Sequence, residues 1–326
     1  MTEFTTQRLI IGILKTIYEN NDPIGARLIA DKMDGRGYSL GERGVRYHLK
    51  ILDANGFTQR VGYSGRIITK KGIAEINNAL VGDRMGFVIS RIHEMLYSTT
   101  FDPYKKSGNI IINLSIMDQD DLDRNKELIH TVIQKGYTVS PRCHIFEGGE
   151  NVSNIAIPQG SVGIATICAL TIDGVLLKQG IPIETKYGGI IQVDNGTPVR
   201  FTDLISYTGT SLDPITIFMS KRMTDVMGIL ENDSGLLLGN LREAPIIAHE
   251  KIMDIISLLN GADIGGVIGH IHAGDTVLSA PISPGKIGIP IYAGVNPLAV
   301  LVEKGIEVTT HPVSLIMDYS EMNTIF

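Results

Sequence analysis

The stretch from Ser39 to Asn55, Ser-Leu-Gly-Glu-Arg-Gly-Val-Arg-Tyr-His-Leu-Lys-Ile-Leu-Asp-Ala-Asn, constrains the N-terminal region more than any other. At about 100° per residue, Val45, Leu49 and Leu52 share one side of a helix, and Arg43, Arg46, Tyr47 and Lys50 share the other. Such a helix buries the first face in a core and leaves three cations and a tyrosine outside. Ser39 and Glu42 have the spacing of a capping box, in which the hydroxyl accepts from a first-turn amide and the carboxylate reaches back to the cap amide. Asn55-Gly56 supplies the stop. An ordinary solvated face has the same appearance, so the flanking sequence decides between the readings.

Upstream, Ile10, Ile13, Leu14 and Ile17 mark a helix over 7–19, and a short helix over 24–33 follows the break at Asn20-Asn21-Asp22-Pro23. Downstream, residues 57–61 and 66–69 flank Gly62-Tyr63-Ser64-Gly65 as a hairpin, and Thr69-Lys70-Lys71-Gly72 opens a closing helix over 73–80. Three helices, a hairpin and a closing helix resemble a winged helix-turn-helix domain. The resemblance implies that the third helix enters the major groove, with Arg43, Arg46, Tyr47 and Lys50 facing DNA and with Arg60 and Arg66 of the wing near phosphates. A winged helix used only for protein contacts is the alternative.

Charge is distributed accordingly. Residues 1–82 carry 12 Lys+Arg against 8 Asp+Glu, a balance of +4, and the remaining 17 and 27 give −10, for the total of −6. A basic head on an acidic body fits a nucleic-acid-binding module joined to one that does not bind nucleic acid. The N-terminus has no basic and apolar leader, so a reducing cytoplasmic setting is expected, with Cys143 and Cys168 as thiols. The longest uncharged run, 151–172, is broken by Pro158, Gly160 and Gly163, so no membrane span is expected.

The expected architecture is multi-domain: a winged helix-turn-helix over 1–82, a connecting helix and linker over 83–108, and an α/β regulatory domain over 109–326. Within the body, strands are expected at 109–117, 137–146, 162–170, 214–219 and 264–271, and helices at 120–135 and 248–259. Gly180-Ile181-Pro182-Ile183 recurs as Gly288-Ile289-Pro290-Ile291, and Val162-Gly163 as Ile268-Gly269. This suggests two related halves, about 109–208 and 209–326, with a cleft between them.

Arg142-Cys143-His144, Cys168 and the pair His270 and His272 are the polar features of this body. Three readings stand: buried cysteines with satisfied histidines, a pocket whose Arg and His donate to an anion, or a metal site, though without the usual ligand spacings. No Gly-x-Ser-x-Gly, Gly-Lys-Ser/Thr or Gly-x-Gly-x-x-Gly motif is present, so an enzyme is not expected.

The winged helix, Arg142-Cys143-His144, the run Ile157-Pro158-Gln159-Gly160-Ser161-Val162-Gly163 with Cys168, and the Gly-Ile-Pro-Ile repeats together resemble the archaeal nitrogen-regulatory repressor family, NrpR. The resemblance implies a repressor of nitrogen-assimilation genes that binds palindromic operator DNA as a dimer or larger assembly and is released by the dicarboxylate 2-oxoglutarate. It implies no cofactor beyond that effector and no metal. Cys143, His144 and Cys168 match positions tied to inducer response; Arg142 is a donor candidate, and Lys178, Lys186, His270 and His272 are weaker ones. Many members carry two body domains in tandem where this chain has one, which implies a companion regulatory protein of the same family. A metal-sensing regulator and an enzyme with an appended winged helix are the competing readings.

Overall fold

The computed structural model describes residues 3–20, 22–38, 40–77, 81–153, 155–269 and 274–324, and the chain divides into two units at Arg84 and Met85. In the first unit, helices α1 (Glu3–Tyr18), α2 (Ala26–Asp34) and α3 (Glu42–Ala54) precede the hairpin β1 (Thr58–Val61) and β2 (Gly65–Ile68), and α4 (Lys70–Asn77) closes it. Its core joins Ile13, Leu14 and Ile17 of α1 to Ile29 and Met33 of α2 and to Val45, Leu49 and Leu52 of α3. Helix α3 has Gly41 at its N-cap with no side-chain cap, and Glu42 is its first residue. The expected capping box therefore does not open it, and Ser39 lies outside the described residues. Gly65 is required by close approach: at φ +131°, a Cβ there would stand 2.4 Å from the Ile24 backbone, to which Arg66 is bridged.

In the second unit, α5 (Val81–Ser98) leads to β3 (Asn109–Asp118), α6 (Gln119–Gln134), β4 (Cys143–Phe146), the hairpin β5 (Asn151–Val152) and β6 (Ile155–Ala156), β7 (Ser161–Ile167) and α7 (Leu170–Lys178). Then follow β8 (Glu184–Asp194), β9 (Thr197–Ser206), α8 (Pro214–Ser220), α9 (Val226–Asn232), β10 (Gly235–Pro245) and α10 (His249–Asn260). The hairpin β11 (Thr276–Val277) and β12 (Ala280–Pro281), β13 (Lys286–Tyr292), α11 (Asn296–Glu303) and β14 (Thr309–Asp318) complete it. The strands form two four-stranded antiparallel sheets, β14-β3-β7-β4 and β13-β10-β8-β9. One apolar core includes residues of α6, α8, α9 and α11, and another those of α7 and α10.

Several expectations need correction. Residues 214–219 are helix rather than strand, because the Asp213 carboxylate accepts from Thr216 N at 3.0 Å and Pro214 suits a first turn. The expected strand at 137–146 shortens to β4, and at 264–271 only Val267, bridged to Ile291, pairs among the described residues. The stretch 99–108 is not a free linker: the amides of Thr100 and Phe101 both donate to Asn109 O at 3.1 Å. The connecting helix packs on the body, with Ile92, Met95 and Leu96 of α5 buried with Ile111, Cys168, Leu170 and Tyr207.

The body is duplicated, but at a different register. Gly288–Ile291 lies in β13, whereas Gly180–Ile183 lies in the turn between α7 and β8, so the tetrapeptide repeat does not mark equivalent positions. The true spacing is 125 residues, from Gly160-Ser161-Val162-Gly163-Ile164 to Gly285-Lys286-Ile287-Gly288-Ile289. Gly163 and Gly288 each admit an isoleucine, Ile157 and Ile282, whose Cδ1 atoms would stand 2.8 and 2.4 Å from an added Cβ. Thr171 Oγ1 accepts from Ile111 N and donates to Ile111 O, both at 3.0 Å. Asn296, 125 residues on, does the same to Leu238 at 2.9 Å in each direction. Cys168 N donates to Ile111 O at 2.9 Å, as Ala293 N does to Leu238 O at 3.0 Å. The halves also exchange strands: β8 pairs with β10 of the second half, and β14 with β3 of the first.

These tethers are buried, and Asn296 additionally donates to Tyr137 O at 2.9 Å. Leaving a buried backbone partner unsatisfied costs about 1–3 kcal/mol. Asn296→Ala is therefore expected to lower unfolding free energy in urea by about 2–5 kcal/mol and more than Thr171→Val does. Equal, small losses in both variants would contradict the tethering role.

Candidate nucleic-acid interface and buried pocket

Helix α3 divides by face as its sequence requires: Val45, His48, Leu49 and Leu52 are buried, while Arg43, Arg46, Tyr47 and Lys50 are exposed. Arg46 donates to Glu42 one turn earlier, Nε to Oε1 at 3.0 Å. An exposed pair of this kind contributes little stability and exchanges readily for another anion. On the wing, Arg60 is exposed and its Nε donates to Gly62 O at 3.0 Å. Tyr63 at the tip is fully exposed (102 %) and is a wing residue that the sequence reading missed; its place at the centre of a Gly-flanked turn was the available signal.

Arg66 is used differently from the expectation. Its side chain is only 18 % exposed and holds Asp53 at the end of α3, Nη2 to Oδ2 and Nε to Oδ2 both at 2.9 Å. Asp53 also accepts from Thr58 Oγ1 at 2.6 Å. Arg66 thus fastens the wing to α3 and sets where the exposed cations stand relative to the hairpin.

The Arg142-Cys143-His144 motif forms a clasp on the segment after β14. Arg142 pairs with Asp263, Nη2 to Oδ2 at 2.8 Å, donates from Nη1 to Met322 O at 3.2 Å and lies over the Tyr319 ring. Cys143 and Asn323 exchange backbone hydrogen bonds at 2.8 Å. His144 Nδ1 donates to Glu321 O at 3.0 Å. Lys178 donates to Tyr97 O at 2.8 Å, and Lys186 sits between Glu184 and Glu243 at 3.4 Å from each. His270 and His272 lie outside the described residues.

Among the described residues proposed for an effector, Cys168 alone lines the pocket that the two halves enclose. This pocket, a cavity of about 30 Å³ that opens to solvent, lies where α7 and α11 begin. Asn113 of β3 and Asn240 of β10 line it, as do Ala169 and Leu170 at the start of α7 and Gly294 and Val295 at the start of α11. The first amides of both helices already donate within the turn, Thr171 to Cys168 O and Ile172 to Ala169 O at 3.0 Å, and Asn296 to Ala293 O at 3.3 Å and Leu298 to Val295 O at 2.9 Å, so each start brings partial positive charge. Val313 lines the wall at a register shift in β14, its φ of +49° held by an N–H bond to Asn113 Oδ1 at 3.1 Å. Left-handed backbone at a β-branched residue is strained, and such strain concentrates at ligand sites.

The charged groups of the pocket are Arg242 and Asp213. Arg242 is 1 % exposed and pairs through Nε with fully buried Asp173 of α7 at 2.7 Å, while Thr185 Oγ1 donates to the same carboxylate at 2.9 Å. Its Nη1 is buried and has no hydrogen-bond partner among the described residues. Burial pushes the Asp213 carboxyl up, against the hydrogen bonds of its cap and the attraction of Arg242. Burial also pushes the Cys168 thiol up to about 12, so it stays protonated near neutral pH and is a poor nucleophile or metal ligand. Among the described residues no group of three or more His, Cys, Asp or Glu converges on a metal position, and no helix is long and apolar enough to cross a membrane.

A winged-helix unit with an exposed cationic helix, followed by an α/β body with a small pocket between its halves, is the architecture of a transcriptional regulator. The NrpR regulatory domains NRD1 and 2 match residues 85–324, and the ribonuclease R winged-helix domain matches residues 11–76. The global nitrogen regulator NrpRI of Methanosarcina mazei is 46% identical over 319 residues, covering 98% of each chain. The global nitrogen regulators NrpR of Methanococcus maripaludis and Methanocaldococcus jannaschii are 35% and 32% identical; they match 96% and 98% of this chain, which spans 54% and 55% of their lengths. The crystal structure of a nitrogen repressor-like protein from Methanococcus jannaschii matches with a TM-score of 0.59 and 26% identity, covering 72% of this chain and 97% of that one. The chain belongs to the NrpR family of nitrogen regulators. These relatives are named as regulators, not enzymes.

His48 ties the winged helix to pH. Burial lowers its pKa from 6.5, so the folded state resists a proton that the unfolded chain accepts. Unfolding then takes up a proton as pH falls below about 6.5, and stability declines with it. Melting of the wild type is expected to shift downward between about pH 6.5 and 5 more than that of His48→Phe; identical pH dependence would contradict a buried neutral His48.

Proposed function

We propose that this regulator represses nitrogen-assimilation genes by binding palindromic operator DNA as a dimer or larger assembly, and that 2-oxoglutarate releases it. It acts in the cytoplasm, either alone or with a companion regulatory protein of the same family. The observation that carries the DNA reading is the face of α3: four side chains able to contact bases or phosphates stand outside, directly opposite a buried apolar stripe. Family membership supports the nitrogen reading. A dicarboxylate effector suits the body, because the pocket offers two helix starts and a guanidinium with an unused N–H direction.

Electrophoretic mobility shift with a palindromic duplex from an upstream nitrogen-gene region, with and without millimolar 2-oxoglutarate, tests the whole reading. Retarded complex that dissolves on adding effector is expected. A complex indifferent to 2-oxoglutarate would remove the effector, and no complex with any such duplex would remove the operator. Replacing Arg43 and Lys50 with Ala is expected to weaken duplex binding and to flatten the salt dependence by roughly 0.9 in log–log slope for each phosphate that is no longer neutralised. An unchanged slope would move the interface off α3.

A further inference from the structure

We infer that the wing reaches duplex DNA through the uncharged ring of Tyr63, and that Arg66 is a positioning residue that holds this ring at a fixed distance from α3 without touching DNA. The inference rests on the proposed operator binding and adds which wing residue meets the duplex and what places it.

The wing has few charges to offer. Between Gln59 and Ile67 only Arg60 and Arg66 are charged, and the register sets them opposite each other on one face of the hairpin. The other face carries Gln59, Val61 and Ile67, all exposed and uncharged. Like charges directly opposite repel, and the fold separates their uses. Arg66 turns to Asp53 of α3, and Arg60 turns along its own strand to Gly62 O. The tip between them is Tyr63, fully exposed. An exposed ring adds nothing to a core, yet a tyrosine brings a large contact area at low entropic cost, having only two side-chain torsions to fix. Its ring can pack on a deoxyribose edge while its hydroxyl donates to a phosphate.

The tip is held in place. Ser64 N donates to Val61 O at 3.0 Å and closes the turn. Arg66 and Ile24 exchange backbone hydrogen bonds, both at 3.0 Å, so the segment before α2 runs beside β2. The Arg66 guanidinium then grips both carboxylate oxygens of Asp53, Nε to Oδ1 at 3.1 Å and to Oδ2 at 2.9 Å. At the other end of the hairpin, Thr69 Oγ1 donates to Gly56 O at 2.7 Å and Lys71 Nζ to Asn55 O at 2.9 Å, just past α3. Helix α3 and the hairpin are therefore one frame. A duplex that takes the face of Arg43, Arg46, Tyr47 and Lys50 meets the wing at a set spacing. A contact at fixed spacing responds to groove geometry in the flanking sequence, without reading its bases.

The test is anisotropy titration of a palindromic duplex from an upstream nitrogen-gene region with the full chain, over a salt series. Hydroxyl-radical footprinting of the same complexes reports the cover of individual deoxyriboses. The variants are Tyr63→Ala, Tyr63→Phe and the double replacement Arg66→Met with Asp53→Leu. Tyr63→Ala is expected to bind roughly five- to thirtyfold more weakly at every salt concentration, with the salt slope of wild type. It is expected to lose protection at one cluster of sugars in each half-site while the rest persists. Tyr63→Phe keeps the ring and is expected to restore that protection and most of the affinity. The double replacement is expected to keep the slope and the protection due to α3, and to weaken protection at the cluster that Tyr63→Ala loses.

Wild-type affinity and footprint in Tyr63→Ala overturn the contact and leave operator binding standing; failure of the wild type to bind any such duplex overturns both. Weaker binding of Tyr63→Ala together with a smaller assembly in sedimentation moves Tyr63 to a contact between copies and overturns the DNA contact. A drop of roughly 0.9 in log–log slope in the double replacement puts Arg66 on a phosphate and overturns its positioning role. Protection lowered evenly across the site overturns that role too, since a general defect of folding acts everywhere. If the double replacement fails to melt cooperatively, Arg66→Lys decides, because it keeps the charge without the fork: a weakened wing-side footprint supports positioning, and an unchanged one overturns it.

Discussion

The ion pair between Arg242 and Asp173 is the interaction on which the body depends. Asp173 belongs to α7 of the first half and Arg242 to β10 of the second, so the pair joins the two halves in the interior. Burying either charge alone costs several kcal/mol, so neither half reaches this arrangement without the other. Thr185 of β8, the strand lent by the first half to the second sheet, completes the acceptor set of Asp173. One contact thus joins the exchanged strand, α7 and the guanidinium at the pocket.

Duplication explains why the pocket lies where it does. Each half follows a sheet strand, β7 or β13, with a helix whose start is pinned to a middle strand, by Thr171 in one case and Asn296 in the other. Two such starts meeting at one cavity bring partial positive charge to it from both halves. The same pinning makes the pocket wall stiff on the side of the sheets. Its side toward α5 consists of Cys168, Leu170 and Tyr207, which pack by apolar contact.

The winged helix was legible because its signals are local. Amphipathic spacing fixed the buried stripe of α3, and Gly62 and Gly65 bracketed the hairpin. The body was legible in kind but not in register. Gly-Ile-Pro-Ile recurs by chance of composition, whereas the real equivalence is carried by single residues such as Gly163 and Gly288, whose role depends on isoleucines packed from a hairpin. The polar triplet at 142–144 suggested a ligand site because arginine, cysteine and histidine are versatile; in the fold they also hold the segment after β14. Arg242 escaped notice because, in sequence, an arginine between leucine and glutamate reads as the exposed side of a strand. Only the burial of Asp173 sixty-nine positions earlier reveals its purpose.

Hydrogen–deuterium exchange on the intact protein, with and without saturating 2-oxoglutarate, tests the central claim most directly. The account predicts slower exchange at the two helix starts together, at 169–172 and at 294–298. Protection confined to 142–146 and 319–323, with both helix starts unaffected, would contradict it.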